Sequence, residues 1–391
     1  MKRLFCLLPI LSLLCCNPEV PVTEPEKDQE PEDIALSLKG LAKMFAELPI
    51  EASHLREVYD AVGHSSGNGY DEEYTMNCLM SNPGSGVGDP SVGTKAASYD
   101  NPLRNLIRDY YGKNPPTKSS VDDLLDRLAE SDYQLYWPYS DEWDGETFPI
   151  ITWDPGFGAE SGYGYEVTMG DDGVRIVNTV YVDETVARER PVWVLNSNSD
   201  AAFTPLEMFA KTKGHAAESL QSAGDGSCPP TQSSRPRRLM LKSLKMLRNY
   251  DSWFGGASEF WVKCGSVDGF HGSTEDDLKS YTPTVTDFII VVKRRNIGKE
   301  LPFEAILVSD FSNQLDMLAF LVTEDDGGTR TSWKCDATVK INSKSYGFVL
   351  DIPYNEKDDI VWRGQLSARF FEEEDVVIGR FGDIIISFEL D

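Results

Sequence analysis

The chain has 391 residues, with 64 Asp and Glu against 37 Lys and Arg and a formal net charge of −27. That length gives room for two or three domains and an ample core. So negative a surface repels phosphate backbones and anionic head groups, which argues against general nucleic-acid binding.

The first elements are those of an export signal. Lys2-Arg3 precedes an apolar run from Leu4 to Leu14 that ends on Cys15-Cys16. This run is about half the roughly twenty residues a spanning helix needs, so residues 1–15 read as a cleaved signal peptide. Peptidase pockets demand a small side chain before the cut, which favours Cys16 as the new N-terminus, with Cys15 before it and Leu13 at the apolar position. Leu13-Leu14-Cys15-Cys16 resembles the lipobox of bacterial lipoproteins, with Cys15 in place of the more usual Gly, Ala or Ser. The resemblance implies lipidation of Cys16 by a thioether-linked diacylglycerol and, usually, palmitate or another acyl chain on its amine. Two or three acyl chains make a durable membrane anchor. Losing Lys2 and Arg3 with the leader makes the chain more acidic still.

Residues 16–33 then form an acidic, Pro-rich tether with four prolines and no aromatic residue. Such a stretch cannot bury enough apolar surface to fold and stays extended. Asn17-Pro18-Glu19 is a loose version of the acidic cue that directs lipoproteins of Bacteroidota to the outer face of the outer membrane. The expected location is the cell envelope, at the outer membrane, with both surface and periplasmic faces open.

Residues 34–131 carry helical signals. Leu38, Leu41, Phe45 and Leu48 line one helix face before Pro49, Ser53 caps a helix through Val62, and Asp71 one through Met80. Asn101-Pro102 opens a helix that Gly112 closes, and Ser120 with Asp123 opens another. In residues 132–213 the period falls to two and aromatic residues accumulate. Gln134 to Trp137, Pro149 to Trp153, Tyr163 to Met169, Arg175 to Val182 and Pro191 to Leu195 read as strands. Leu206 to Phe209 adds a helical turn, and residues 214–237, rich in Ser, Gly and Pro, form a linker.

Residues 238–391 read as a β-sandwich of short, closely spaced strands, clearest in the alternation Ile384, Ile386, Phe388, Leu390. The expected fold class is therefore α+β: an N-terminal helical layer, a small β region and a C-terminal antiparallel β-sandwich. Cys264 and Cys335 both fall on strands of that domain and are the expected disulfide. The basic clusters Arg235, Arg237, Arg238 and Lys293-Arg294-Arg295 read as solvated faces.

Two constellations point to binding. Asp251 with Glu259, Glu324-Asp325-Asp326, and Glu356 with Asp358-Asp359 are acidic turns whose carboxylates suit Ca²⁺, a cation that takes six to eight hard oxygens. Their layout resembles, loosely, that of Ca²⁺-binding C2-type sandwiches, although turn chemistry alone also selects Asp and Gly there. Trp137, Trp143 and Trp153 offer apolar faces on which sugars stack, with Asp141 and Asp144 beside them to accept hydroxyls; burial in a core is the alternative.

Catalytic signatures do not survive inspection. His54, His64, His215 and His271 form no zinc ligand pair, no GxSxG elbow is present, and Gly84-Ser85-Gly86-Val87-Gly88 lacks the Lys of a phosphate loop. Asn68-Gly69-Tyr70-Asp71-Glu72-Glu73-Tyr74, Tyr136-Trp137-Pro138-Tyr139 and Tyr250-Asp251-Ser252-Trp253-Phe254 resemble phrases in envelope lipoproteins of Bacteroidota, a resemblance that implies no activity. The expectation is a lipid-anchored, non-catalytic binding or interaction protein of the envelope, with a glycan or an envelope protein as partner. The alternatives are a surface glycan-binding protein or glycoside hydrolase, and a Ca²⁺-dependent adhesion module.

Overall fold

The computed structural model describes residues 35–80, 101–116, 119–170, 173–197 and 236–391. Cys16, the signal peptide, the tether, the 84–88 loop, the 206–209 turn and most of the 214–237 linker lie outside these residues.

The first unit joins the helices to a mixed sheet. Its helices are α1 (Leu38–Glu47), α2 (Ala52–Gly67), α3 (Met76–Met80), α4 (Pro102–Lys113), α5 (Val121–Glu130) and α6 (Glu184–Glu189). Its strands are β1 (Glu73–Thr75), β2 (Tyr133–Tyr136), β3 (Ile150–Trp153), β4 (Ser161–Met169), β5 (Arg175–Asp183) and β6 (Val192–Ser197), ordered β1-β2-β6-β3-β4-β5. All neighbours run antiparallel except β3 and β6. Local chemistry sets the helix ends: Ser37 accepts from Gly40 N at α1, and Ser120 and Asp123 form a reciprocal capping box at α5. Asn101 does not cap α4 with its side chain, which instead donates to the carbonyl of Leu79 at 3.2 Å.

The helices and the sheet share one core. Leu41, Phe45, Val58, Leu103, Ile107 and Leu124 pack on Leu135, Trp137, Ile151, Trp193 and Leu195, all of them buried. The helical stretch and the Trp-rich β region therefore form a single unit. Strand β1, inside the stretch that reads as helical from Asp71 onward, pairs with β2.

The second unit is the β-sandwich. One sheet is β10 (Leu301–Val308), β7 (Leu239–Met246), β16 (Ile384–Leu390) and β15 (Val376–Phe381) in that order. The other is β13 (Lys344–Asn355), β12 (Arg330–Ile341), β11 (Leu315–Glu324), β8 (Ser258–Ser266) and β9 (Thr284–Val292), with β14 (Asp359–Ser367) also paired to β11. Inward side chains of both sheets, such as Leu241, Ile386 and Phe388 against Phe260, Val262 and Phe320, make its core.

Cys264 and Cys335 do not form the expected disulfide; both are free thiols. Cys264 lies across from Phe320 of β11 and Thr286 of β9, and Cys335 lies across from Leu350 of β13, so the two thiols are in no cross-strand register with each other. Among the described residues no helix is long and apolar enough to cross a membrane.

The loop between β7 and β8 locks the units together. Trp253 and Phe254, fully buried, enter a second apolar cluster formed by Tyr136, Ile150, Val182, Val192 and Val194 of the first unit. Trp253 Nε1 donates to the carbonyl of Glu160 at 2.9 Å, and Asn196 Nδ2 donates to those of Phe254 (2.9 Å) and Gly255 (2.8 Å). Asp71 accepts from the Ala257 amide at 2.9 Å. Next to this amide Gly256 has φ +114°, and a Cβ there would lie 2.6 Å from Asp71 Oδ2, so both conformation and space require glycine.

The Lys293-Arg294-Arg295 cluster is not a solvated face. Arg294 grips Glu184 through Nε and Nη2, each at 3.2 Å, and Arg295 pairs with Glu72 at 2.9 Å and with Asp141. Lys293 donates to the carbonyl of Ser66 at 3.2 Å. These cations neutralise carboxylates of the first unit across the junction.

Candidate functional site

The segment after β2 builds a turn. Tyr139 takes a left-handed conformation (φ 59°) and Ser140–Glu142 form a single 3₁₀ turn. Asp144 closes the turn by accepting from the amides of Glu146 (2.9 Å) and Thr147 (2.7 Å) and from the Thr147 hydroxyl, bonds that hold its carboxyl below the usual range. Trp143 Nε1 donates to the carbonyl of Thr147 at 2.9 Å, which fixes the indole.

That indole ends an aromatic column running into the core. Ring centroids are 5.3 Å apart for Tyr59 and Trp143, 5.2 Å for Trp143 and Trp137, 5.7 Å for Trp137 and Trp193, and 6.3 Å for Trp193 and Phe45. Most of these contacts are edge-to-face, which suits the ring quadrupoles.

An open cavity of about 240 Å³ lies between this turn and the end of α6. Trp137, Tyr139 and Trp143 give it aromatic walls, while Asp144, Arg188 and Arg190 give it charged ones. The indole N–H of Trp137 is buried without an acceptor. Arg188 stacks 5.3 Å over the Tyr139 ring and pairs with Glu184 at 2.8 Å, and Arg190 pairs with Glu166 at 2.6 Å. Glu184 also accepts from the Tyr139 hydroxyl at 2.7 Å. Burial alone would raise the Glu184 carboxyl, but the hydrogen bonds from Arg294, Tyr139 and Arg188 hold it down to about 2.

Three of the five expected ligand residues, Trp137, Trp143 and Asp144, thus meet at one cavity. Asp141 turns to Arg295 at the junction. Trp153 lies elsewhere, against Tyr165 (centroids 5.7 Å apart) and under the Lys39 ammonium. Tyr139, Arg188 and Arg190 complete the walls. The local signal that could have marked their helix is Asp183, whose carboxylate caps α6 by accepting from Val186 N.

The acidic turns divide into two groups. Asp251 of the β7–β8 loop, Glu259 of β8 and Glu324 of β11 converge, with one carboxylate oxygen of each within 4.8 Å of the others. Asp325 instead serves its turn, accepting from Trp261 Nε1 (3.2 Å), Gly327 N (3.0 Å) and Asn355 Nδ2 (3.1 Å). Asp358 accepts from the Asn355 amide at 2.8 Å. Asp326 and Asp359 stay outside the three-carboxylate cluster and act on it through their negative charge. Burial, and then mutual hydrogen bonding and repulsion, pushes Glu324 well above the carboxylate range; burial also pushes Asp251 up.

Together these features define a class: a two-unit α+β protein with an aromatic-walled cavity on the first unit and a carboxylate cluster at the base of the loop that joins it to the second. No family model, curated protein or solved structure matches the chain.

Proposed function

We propose that the chain is a lipid-anchored cell-envelope protein that binds a saccharide unit, without catalysis, in the cavity beneath Trp143. The observation that carries this reading is the pairing of aromatic walls with charged hydrogen-bonding groups. A sugar ring presents an apolar face to an indole and hydroxyls to guanidinium and carboxylate groups. The volume of about 240 Å³ lies below the roughly 300–1,000 Å³ of pockets that engulf drug-sized molecules, so it suits one sugar-sized moiety. Asp144 is committed to its own turn and held ionised, which favours binding over proton donation to a glycosidic oxygen. The lipobox-like leader supports anchoring at Cys16.

A glycan array followed by titration of the best ligand tests the reading. Trp143→Ala is expected to weaken binding about two- to tenfold, in line with the loss of an aromatic contact worth about 0.5–1.5 kcal/mol. Array silence, or unchanged affinity in the variant, refutes it.

One observation favours a second reading, an envelope protein as partner. Strand β5 ends the first sheet, and Tyr163, Tyr181 and Val177 of the β4–β5 pair expose 62 %, 58 % and 42 % of their surface. Apolar exposure on a sheet edge is a feature of protein interaction sites.

A further inference from the structure

The Asp251, Glu259 and Glu324 carboxylates come from three separate segments to the point where the β7–β8 loop leaves the sandwich. Backbone pairing sets this convergence, because Glu324 is the last residue of β11 and the next amide, that of Asp325, donates to the Glu259 carbonyl at 2.9 Å. Asp251 is brought over the same strand ends by its amide and that of Tyr250, both of which donate to Ser258 Oγ, at 3.3 and 3.0 Å.

An acidic cluster alone is weak grounds for a ligand, but a second observation points inward. The Glu324 side chain is 1 % exposed, and apart from the contact between the two carboxyls no donor group reaches its Oε1 or Asp251 Oδ2, both of them buried. Buried carboxylate oxygens are normally hydrogen-bonded or bound to a cation. Arg294, whose charge acts on Asp251, does not serve them: it donates to the Asp251 carbonyl at 3.0 Å and spends its other nitrogens on Glu184.

We propose that Asp251, Glu259 and Glu324 bind a hard divalent cation of the Ca²⁺ type, which pins the β7–β8 loop and with it the Trp253–Phe254 plug. The ligands are all oxygens, as Ca²⁺ requires, and oxygens about an ion at 2.3–2.6 Å are at most about 5 Å apart. This agrees with the 4.8 Å within which the three lie. A cation there ties Asp251 to both β8 and β11, two residues before Trp253. The site stands apart from the cavity under Trp143, so either proposal can fail without the other.

The test is calorimetric titration of the EDTA-stripped, full-length chain with Ca²⁺, alongside amide hydrogen exchange of residues 250–257. One saturable Ca²⁺ per chain is expected, with exchange of the loop slowed at least tenfold on binding. Glu324→Gln keeps the shape and removes the charge, and should weaken binding at least tenfold; Glu259→Gln serves equally if that variant does not fold. Absence of saturable binding in the parent chain overturns the proposal and leaves Asp251 and Glu324 as a proton-sharing pair. Equal Ca²⁺ affinity in parent and variant also overturns it, by placing the ion elsewhere on the acidic surface.

Discussion

Glu72 is 4 % exposed at the junction of the two units. Arg295 Nη1 lies 2.9 Å from its Oε1, yet that oxygen receives no aligned hydrogen bond, so their attraction is Coulombic. Burial, reinforced by the charge of Asp71 and opposed by Arg295 and Lys293, pushes the carboxyl from 4.5 up to about 7. A raised carboxyl means that the folded chain binds more protons than the unfolded one, so stability falls as pH rises from about 4.5 to about 7. Glu72→Gln removes this titration. Its melting temperature should show a flatter pH profile across that window, and at pH 8 its free energy of unfolding should exceed the parent's by up to about 3 kcal/mol, reduced by whatever the Arg295 contact contributes. Parallel pH profiles from thermal melts would contradict this account.

Among elements, the contact of β3 with β4 leaves little room. A Cβ on Gly164 would lie 3.0 Å from the Ile151 carbonyl oxygen and 2.9 Å from a Val182 methyl, and the backbone atom cannot move aside without breaking the sheet. Gly164→Ala should cost about 1–3 kcal/mol, read as a lower urea midpoint with an unchanged slope. The helices were the legible elements, because their caps and apolar spacing are local: Ser120 with Asp123, Pro102, and the Leu41–Phe45 face each specify a boundary or a side. Strand β1 was not legible, since three residues between two helical patterns carry no period and pair only once β2 is in place. The Leu239–Met246 strand hid for another reason. Its buried residues alternate only as far as Ser243, where both Ser243 and Leu244 turn inward, and this breaks the two-residue rhythm.

At the scale of the whole molecule, the candidate sites were legible as residue types and not as groupings. Trp143 and Asp144 stood next to each other in the chain, but the Arg188 and Arg190 side of the cavity depends on how β5 and α6 fold back. Likewise Glu324 stood out as part of an acidic turn, while its meeting with Asp251 depends on the pairing of β8 with β11. The basic run 293–295 was misread because its partners, Glu184, Glu72 and Asp141, lie more than a hundred residues away. The anchor proposed at Cys16 makes one further prediction: Cys16→Ser should abolish incorporation of labelled palmitate and release the chain from the membrane fraction. Retention of label in that variant would rule the anchor out.

Trp253 and Phe254 belong to the sandwich by covalent connection and to its neighbour by burial. The boundary near residue 236 is therefore no place to cut. A sandwich made alone would carry two bare aromatic rings into water, and the partner left behind would have a hole among Tyr136, Val182 and Val194. What looks like a pair of interchangeable cassettes has to be inherited, expressed and engineered as one piece.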